Sequence, residues 1–175
     1  MRYYLTTYPS PLGLITLGSD GESLVGLWNE GQKYHGASIA GTMVQKDNLP
    51  IFDQTKDWLD RYFAGQQPAV GELCIEPIGT DFRQEVWDIL CEIPYGEVTT
   101  YGDIATKIAG EGNTENKYNR AVGGAVGHNP ISIIIPCHRV VGSTGSLTGY
   151  AGGVDKKIFL LKLEGVEICD DMVVM

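Results

Sequence analysis

A cysteine between a proline and a histidine ends an apolar run at residues 135–141, which read IPCHRVV. Only a small fraction of a free thiol with a pKa of about 8.5 is ionised at neutral pH, although the thiolate is the nucleophile. An adjacent imidazole raises that fraction, and Arg139 adds a second positive neighbour to Cys137 beside His138. The pattern therefore predicts a thiol placed for nucleophilic chemistry.

The other cysteines show no pairing pattern. Cys74, Cys91 and Cys169 lie far apart, and no CxxC spacing occurs that would indicate a disulfide framework or a zinc site. The three histidines are scattered as well. We therefore expect the remaining thiols to be buried or incidental, and we expect neither a metal site nor a cofactor.

Length and charge set broader bounds. The 175 residues carry a net charge of -9 and are 43% hydrophobic, enough for one generous domain or two small ones. Residues 98–165 hold 7 basic against 5 acidic side chains, whereas residues 1–97 hold 6 against 14. A weakly basic face around Cys137 is compatible with anionic ligands. No apolar segment at the N-terminus resembles a signal peptide or a membrane span, so an intracellular, cytoplasmic protein is expected.

The first half has the pattern of a small sheet followed by a helix. Three short runs rich in β-formers at 3–7, 13–18 and 23–28 are separated by turn residues, which predicts an antiparallel meander. Apolar residues at helical spacing predict a helix over 51–64. Alternation around Leu73 and Ile75 predicts a further strand before a domain boundary near residue 79.

The second half changes to a helical period. Asp81 with Gln84 predicts a helix N-terminus, and that helix stops at Pro94. Thr100 with Asp103 predicts the cap of a second, amphipathic helix over 101–109. A third helix is predicted through 120–127, and the second and third together have the pattern of a helix-turn-helix.

The third helix contains adjacent glycines. Gly123 and Gly124 each lower the stability of a helix by about 1 kcal/mol relative to alanine. Either this segment is a poor helix or its surface must be small. A helix is about 10–12 Å across and the DNA minor groove about 6 Å wide, so a helix entering that groove should carry small residues. Tight packing against another helix explains the glycines equally well. Arg120 is likewise either a surface ion-pair residue or a side chain directed at a ligand.

These residues carry a family resemblance. Residues 82–98, Tyr101, 120–130, 135–141, 149–153 and 157–165 together resemble the methylated-DNA–protein-cysteine methyltransferases, the O6-alkylguanine repair proteins. The resemblance implies a stand-alone bacterial type with an α/β domain at 1–79, a ribonuclease-H-like antiparallel sheet plus helix. It further implies a mainly α domain with a helix-turn-helix at 80–168, for DNA binding and alkyl transfer, and a C-terminal tail at 169–175.

The resemblance also implies a mechanism. Cys137 would attack the alkyl carbon on guanine O6, or on thymine O4, and would keep the group irreversibly in a single turnover. His138 would take the thiol proton through a water, and Glu164 would orient and stabilise the imidazolium. Taken by itself, Glu164 is more simply interpreted as an exposed carboxylate, and the motif around Cys137 reverses that preference. Asn129 is similar to the family residue that ties the helix-turn-helix to the active-site turn.

For DNA, the resemblance implies binding of duplex containing O6-alkylguanine through the minor groove, by a monomer with no membrane contact. The target base would leave the stack, with Arg120 filling the gap and Tyr101 crowding the phosphate. Small residues would line the DNA-contacting helix at Ala121, Gly123 and Gly124. The residues expected to form the rim of the guanine pocket are Tyr101, Val140, Tyr150, Ala151 and Lys157.

One departure and two alternatives remain. Tyr101 and Arg120 are separated by 18 residues, more than the family pattern, which predicts an extended turn within 110–119. A thiol hydrolase or acyltransferase could also use Cys137 with His138, although such enzymes usually bring their histidine from elsewhere in the chain. A non-catalytic protein that binds alkylated DNA is the other alternative, and the intact cysteine motif disfavours it.

Overall fold

The computed structural model describes residues 2–110, 118–147 and 149–175. The chain divides into two compact units, one formed by residues 1–79 with 130–134 and the other by 80–129 with 135–175. Residues 130–134 therefore group with the N-terminal part, although they lie inside the range 80–168 expected for the second domain. Most of the turn predicted to be extended, 111–117, lies outside the described residues.

The first unit contains a four-stranded sheet. Its strands are β1 (Arg2–Ser10), β2 (Gly13–Ser19), β3 (Leu24–Asn29) and β4 (Thr42–Gln45), in the order β3-β2-β1-β4. The predicted meander is present, since β2 pairs antiparallel with both β1 and β3. The expectation of a purely antiparallel sheet is wrong, because β4 pairs parallel to β1. Its four residues are mostly exposed and show no alternation that would have predicted a strand.

Helix α1 (Pro50–Phe63) packs on this sheet through a buried face that includes Phe52, Trp58 and Leu59. The strand predicted around Leu73 and Ile75 is reduced to a single bridge between Ile75 and Leu24. A short 3-10 helix, Val70–Glu72, precedes it. This segment contacts the sheet through Leu24, whose amide donates to the Cys74 carbonyl and whose carbonyl accepts from the Glu76 amide.

The second unit is mainly helical. Its helices are α2 (Asp81–Cys91), α3 (Tyr101–Ala109), α4 (Asn119–Gly127) and α5 (Val154–Leu163). A parallel pair joins β5 (Thr99–Thr100) to β6 (Val140–Val141). A hairpin of β7 (Ile168–Cys169) and β8 (Met172–Val173) occupies much of the segment expected to be a tail.

The helix starts follow from their caps. Thr100 caps α3 as predicted, because its hydroxyl accepts a hydrogen bond from the Asp103 amide. The cap of α2 is Thr80, whose hydroxyl accepts from the Arg83 amide, so the assignment of that cap to Asp81 is wrong by one residue. Inside the unit, the buried Trp87 indole donates to the Ala125 carbonyl and joins α2 to α4. Among the described residues, no helix has the length and apolar character needed to cross a membrane.

Candidate active site

Cys137 begins a single 3-10 turn, Cys137–Arg139, that leads directly into β6. The residue is only 5% exposed, and its amide donates to the Ile135 carbonyl over 2.8 Å. The Asn129 side chain donates to the same carbonyl over 2.8 Å from just beyond the end of α4. Asn129 is itself buried, so this amide fixes the backbone on the N-terminal side of the thiol.

Burial raises the pKa of Cys137 above its ordinary value, although a hydrogen bond from Asn129 and the charge of Lys157 partly oppose that rise. Burial of the thiol therefore opposes the rise in thiolate fraction expected from His138 and Arg139. Burial also lowers the pKa of His138, against the opposing effect of Glu164. The resting site thus holds a thiol beside a neutral imidazole, and a proton must leave the thiol during any reaction as a nucleophile.

His138 is paired with Glu164 inside the protein. Its Nε2 lies 2.6 Å from Glu164 Oε2, and both side chains are fully buried. Glu164 is the residue that ends α5, and Gly165 follows it with φ at +86°, a value that favours glycine. The alternative of an exposed carboxylate is wrong. His138 Nδ1 is buried, and no side chain or backbone group in the described ranges bonds to it.

Arg139 was expected to act as a positive neighbour of Cys137, but its side chain binds Glu164. Its Nε donates to Glu164 Oε1 over 2.8 Å and its Nη2 to Oε2 over 3.1 Å, an ion pair that binds both oxygens. Burial alone would raise the pKa of Glu164, but the hydrogen bonds from His138 and Arg139 and the charge of the guanidinium outweigh it and hold that pKa well below the ordinary value. The carboxylate is therefore ionised at neutral pH.

Lys157 supplies the positive charge near the thiol. It is fully buried in α5 and its Nζ donates to the Val140 carbonyl over 2.6 Å. The expected position on an open pocket rim is therefore wrong. Burial lowers its pKa from 10.5 to about 8, while the charge of the Cys137 thiolate acts to raise it. Val140, which accepts this hydrogen bond from Lys157, is buried in β6 opposite Thr99.

The remaining pocket residues surround the same turn. Tyr101 opens α3, and burial, followed by the nearby Cys137 charge, raises its pKa to about 12. A Cβ on Gly149 would lie 3.8 Å from the Tyr101 hydroxyl, so the 149–151 segment passes close to this ring. Tyr150 is buried and Ala151 is half-buried. The structure thus brings Tyr101 close both to Cys137 and to the backbone before Tyr150.

Four of the residues expected to contact DNA lie on one side of α4, and the fifth, Tyr101, lies on α3. Arg120, Ala121 and Gly124 are exposed and Gly123 is half-buried, whereas the opposite face is buried through Val122, Ala125 and Val126. A Cβ at either glycine would meet no atom of the described residues within 4 Å. Tight packing against another helix is therefore the wrong explanation for this pair. The small surface faces open space.

The family models decide between the remaining alternatives. A model described as the DNA binding domain of 6-O-methylguanine DNA methyltransferase matches residues 81–166, and its ribonuclease-like domain matches residues 3–76. The chain belongs to the 6-O-methylguanine DNA methyltransferase family. Its architecture is the family's two-domain one, with a mixed sheet and helices. Its activity is direct reversal of alkylation damage in DNA by transfer of the alkyl group to a protein cysteine.

Individual relatives span nearly the whole chain. A methylated-DNA–protein-cysteine methyltransferase of Haemophilus influenzae is 43% identical over 95% of this chain and 89% of its own. One of Methanosarcina acetivorans is 45% identical over 93% and 98%. A crystal structure of Mycobacterium tuberculosis OGT in complex with DNA superposes with a TM-score of 0.76 at 40% identity, covering 94% of this chain and 92% of that one. This membership removes the thiol hydrolase from consideration.

In the described ranges, no group of three or more His, Cys, Asp or Glu side chains is arranged to hold a metal ion. Each of the four cysteines is a free thiol. The buried polar cluster consists of five side chains: the Cys137 thiol, the His138 imidazole, the Glu164 carboxylate and the cations of Arg139 and Lys157.

Lys157→Met tests the buried cation by its effect on stability. Because the pKa of Lys157 falls from 10.5 to about 8 on folding, the unfolded state binds more protons between those values. We expect the difference in unfolding free energy between the native protein and the variant (native minus variant) to rise from pH 8 to pH 10.5 by roughly 3 kcal/mol. The difference is measured by urea titration of both proteins at both pH values.

The matched control is Lys162→Met, which removes an exposed ammonium from the same helix. Its unfolding free energy should follow the native pH dependence. The same pH dependence in Lys157→Met as in the native protein would show that Lys157 titrates normally in the folded state.

Proposed function

We propose that Cys137 is the alkyl acceptor and that this chain repairs O6-alkylguanine, and O4-alkylthymine, in duplex DNA. The observation that carries the assignment is the buried pair of His138 and Glu164 at 2.6 Å, directly after a cysteine whose pKa burial raises. A thiol of raised pKa needs a base, and a neutral buried imidazole is one. The other three cysteines lack such a neighbour in the sequence.

In the proposed step, the Cys137 sulfur bonds to the alkyl carbon while the bond from that carbon to guanine O6 breaks. The bonding electrons stay on the guanine, whose anion takes a proton from solvent at N1 to give neutral guanine. The thiol proton passes through a water to His138 Nδ1, since Nε2 is occupied by Glu164. Glu164 then stabilises the imidazolium. Cys137 retains the group as a thioether, so each molecule reacts once.

The proposed guanine pocket is formed by Tyr101, Val140, Tyr150 and Ala151 around the thiol. Hydrogen bonds to O6 from the Tyr150 hydroxyl and the Ala151 amide would stabilise the charge that develops there. Lys157 acts from beneath the pocket, where its buried ammonium favours the thiolate. Asn129 holds the turn on which that thiolate forms.

For DNA, we propose that α3 and α4 form a helix-turn-helix that binds the minor groove through the exposed side of α4. The open space above Gly123 and Gly124 supports this assignment, because a narrow groove admits a helix only where its side chains are small. Arg120 and Ala121 lie on the same side. Arg120 would fill the gap left by the extruded base, while Tyr101 crowds the phosphate. We propose that the protein acts as a monomer in the cytoplasm.

The activity is tested by incubating the protein with duplex DNA that carries one O6-methylguanine with a labelled methyl group. We expect the label to move from DNA to protein and the base to become guanine. An unmodified duplex of the same sequence, labelled elsewhere, controls for non-covalent binding under denaturing separation. Tight binding to the lesion with no movement of label would favour the non-catalytic lesion-binding alternative.

Gly124→Leu tests the proposed DNA face. The new side chain has room in the protein, and leucine is more favourable than glycine in a helix by about 0.8 kcal/mol, so thermal stability should rise. The same side chain would obstruct a minor groove about 6 Å wide, so reaction with duplex DNA should slow by about tenfold or more. Reaction with free O6-benzylguanine should be unchanged.

Gly71→Leu is the matched control, because it places leucine in open space on a short 3-10 helix of the other unit. It should leave both reactions at the native rate. Equal losses on the duplex and on the free base in Gly124→Leu would contradict the DNA role and indicate damage to the site itself.

A further inference from the structure

The Glu164 carboxylate is held by four donors. Oε1 accepts from Arg139 Nε over 2.8 Å and from the Gly96 amide over 3.1 Å. Oε2 accepts from Arg139 Nη2 over 3.1 Å and lies 2.6 Å from His138 Nε2. Each oxygen thus has one bond to the guanidinium and one to another group. The proposed alkyl transfer uses only the bond to His138, and the other three bonds require an explanation.

We propose that Arg139 is a positioning residue for alkyl transfer: its guanidinium fixes the Glu164 carboxylate in one orientation and, by its charge, keeps His138 free of a proton until Cys137 releases one. This inference rests on the proposed roles of Cys137 and His138. Arg139 touches neither the substrate nor the thiol in this account. It acts through Glu164.

The guanidinium is itself held in place. Its third arm, Nη1, donates to the Ile93 carbonyl over 2.6 Å, and its carbon lies 5.8 Å from the centre of the Tyr95 ring. The Arg139 side chain is only 10% exposed. The turn after α2 therefore orients Arg139 as well as Glu164, so the geometry exists before any substrate binds.

Gly96 makes that turn possible. Its φ is +79°, a conformation that favours glycine, and a Cβ there would lie 3.0 Å from the Glu164 carbonyl oxygen. The backbone can therefore approach closely enough for its amide to reach Oε1. The turn and the guanidinium therefore both bind the carboxylate, the turn at Oε1 and the guanidinium at both oxygens.

Charge explains why a cation is needed here. The charges of Arg139, Glu164 and a neutral His138 sum to zero, so these three side chains are together neutral while the imidazole can still accept a proton. Without the guanidinium, the buried Glu164 carboxylate would lose its bonded counter-ion. The pair would then take a proton from solvent, and the base would already be protonated before the thiol reacts.

Other charges face the same cluster. The Lys157 ammonium acts with Arg139 to lower the pKa of His138, and it also acts on the Cys137 thiol. Tyr95 faces Glu164 and Arg139, and the Cys91 thiol on α2 faces Arg139. Both are neutral at pH 7, since burial raises their pKa values. Lys157 is therefore the cation that remains if Arg139 is removed, and it limits but does not replace the effect of the guanidinium.

Single-turnover rates with O6-benzylguanine from pH 6 to pH 9 test the proposal in Arg139→Met and Arg139→Lys. For Arg139→Met we expect at least about a 100-fold lower rate at pH 7 and a midpoint of the pH profile moved upward by more than about one unit, so that part of the rate returns at high pH. Arg139→Lys keeps the charge but cannot bind both oxygens in the same way. It should keep the native midpoint and lose about tenfold in rate.

A lower rate in Arg139→Met with an unchanged midpoint would overturn the proposal, because it would indicate a purely structural role. A native rate in Arg139→Lys would overturn the orientation part, and this variant decides the matter if Arg139→Met does not fold. A native protein that transfers no alkyl group would instead refute the proposed function. Arg83→Met, on α2, serves as the control for loss of an arginine.

Discussion

Cys137→Ala is expected to abolish alkyl transfer while binding to duplex DNA that contains O6-methylguanine continues. The thiol is the only group in the proposed step that forms a bond to the alkyl carbon, so no residual transfer should remain. The fold should survive, since alanine occupies less space than the buried cysteine and the turn is held by the Asn129 bond to the Ile135 carbonyl. Transfer is measured with labelled duplex, and binding by gel shift with the same duplex.

Cys91→Ala is the matched control, since Cys91 is a partly buried thiol of the same unit. Burial, with Asp88 and Glu92 nearby, raises its pKa to about 11, so it is a poor nucleophile. This variant should transfer the alkyl group at the native rate. Residual transfer in Cys137→Ala that disappears only on removal of Cys91 would contradict the assignment of the acceptor.

Glu164→Gln is expected to have the largest effect on stability. It leaves the buried Arg139 guanidinium without a counter-ion, a change that typically costs about 3–5 kcal/mol. The amide oxygen can still accept one bond, but the partner of His138 Nε2 loses its charge, so transfer should slow by at least about 100-fold. Urea unfolding at pH 7 and single-turnover rates measure the two effects.

The pH dependence of that variant follows from the sign of the shift. Because the folded-state pKa of Glu164 is lowered from 4.5, the carboxylate stabilises the native protein above that value. This contribution is lost as pH falls below about 4.5 towards the folded-state pKa. The stability gap between native protein and variant should therefore narrow in acid. Glu167→Gln, an exposed carboxylate nearby, should show no gap at either pH; a gap in Glu164→Gln that stays constant with pH would contradict the account.

The sequence predicted those elements whose signals are local. Three strands and helices α1 to α4 were predicted from their own periodicity, and the cap at Thr100 from one hydroxyl three residues before Asp103. Strand β4 was missed because it is short and exposed, and its pairing with β1 joins residues about 40 positions apart. No local pattern encodes such a pairing.

At the site, the sequence located the residues but not their environment. Cys137 and His138 are adjacent in the chain, whereas the pairing of Arg139 with Glu164 spans 25 residues and depends on where α5 ends. Burial, which reverses the expected effect on the Cys137 pKa, is a property of the packed unit. Arg139 did give a signal in the sequence, since a charged residue within a buried segment requires a partner.

The most direct test of the central claim is the mass of the protein and of its peptides after reaction with excess O6-methylguanine duplex. The account predicts one methyl group per molecule, carried by the peptide that contains Cys137, with no further reaction when fresh duplex is added. A methyl group on any other residue, or continued turnover by the same molecules, would contradict it.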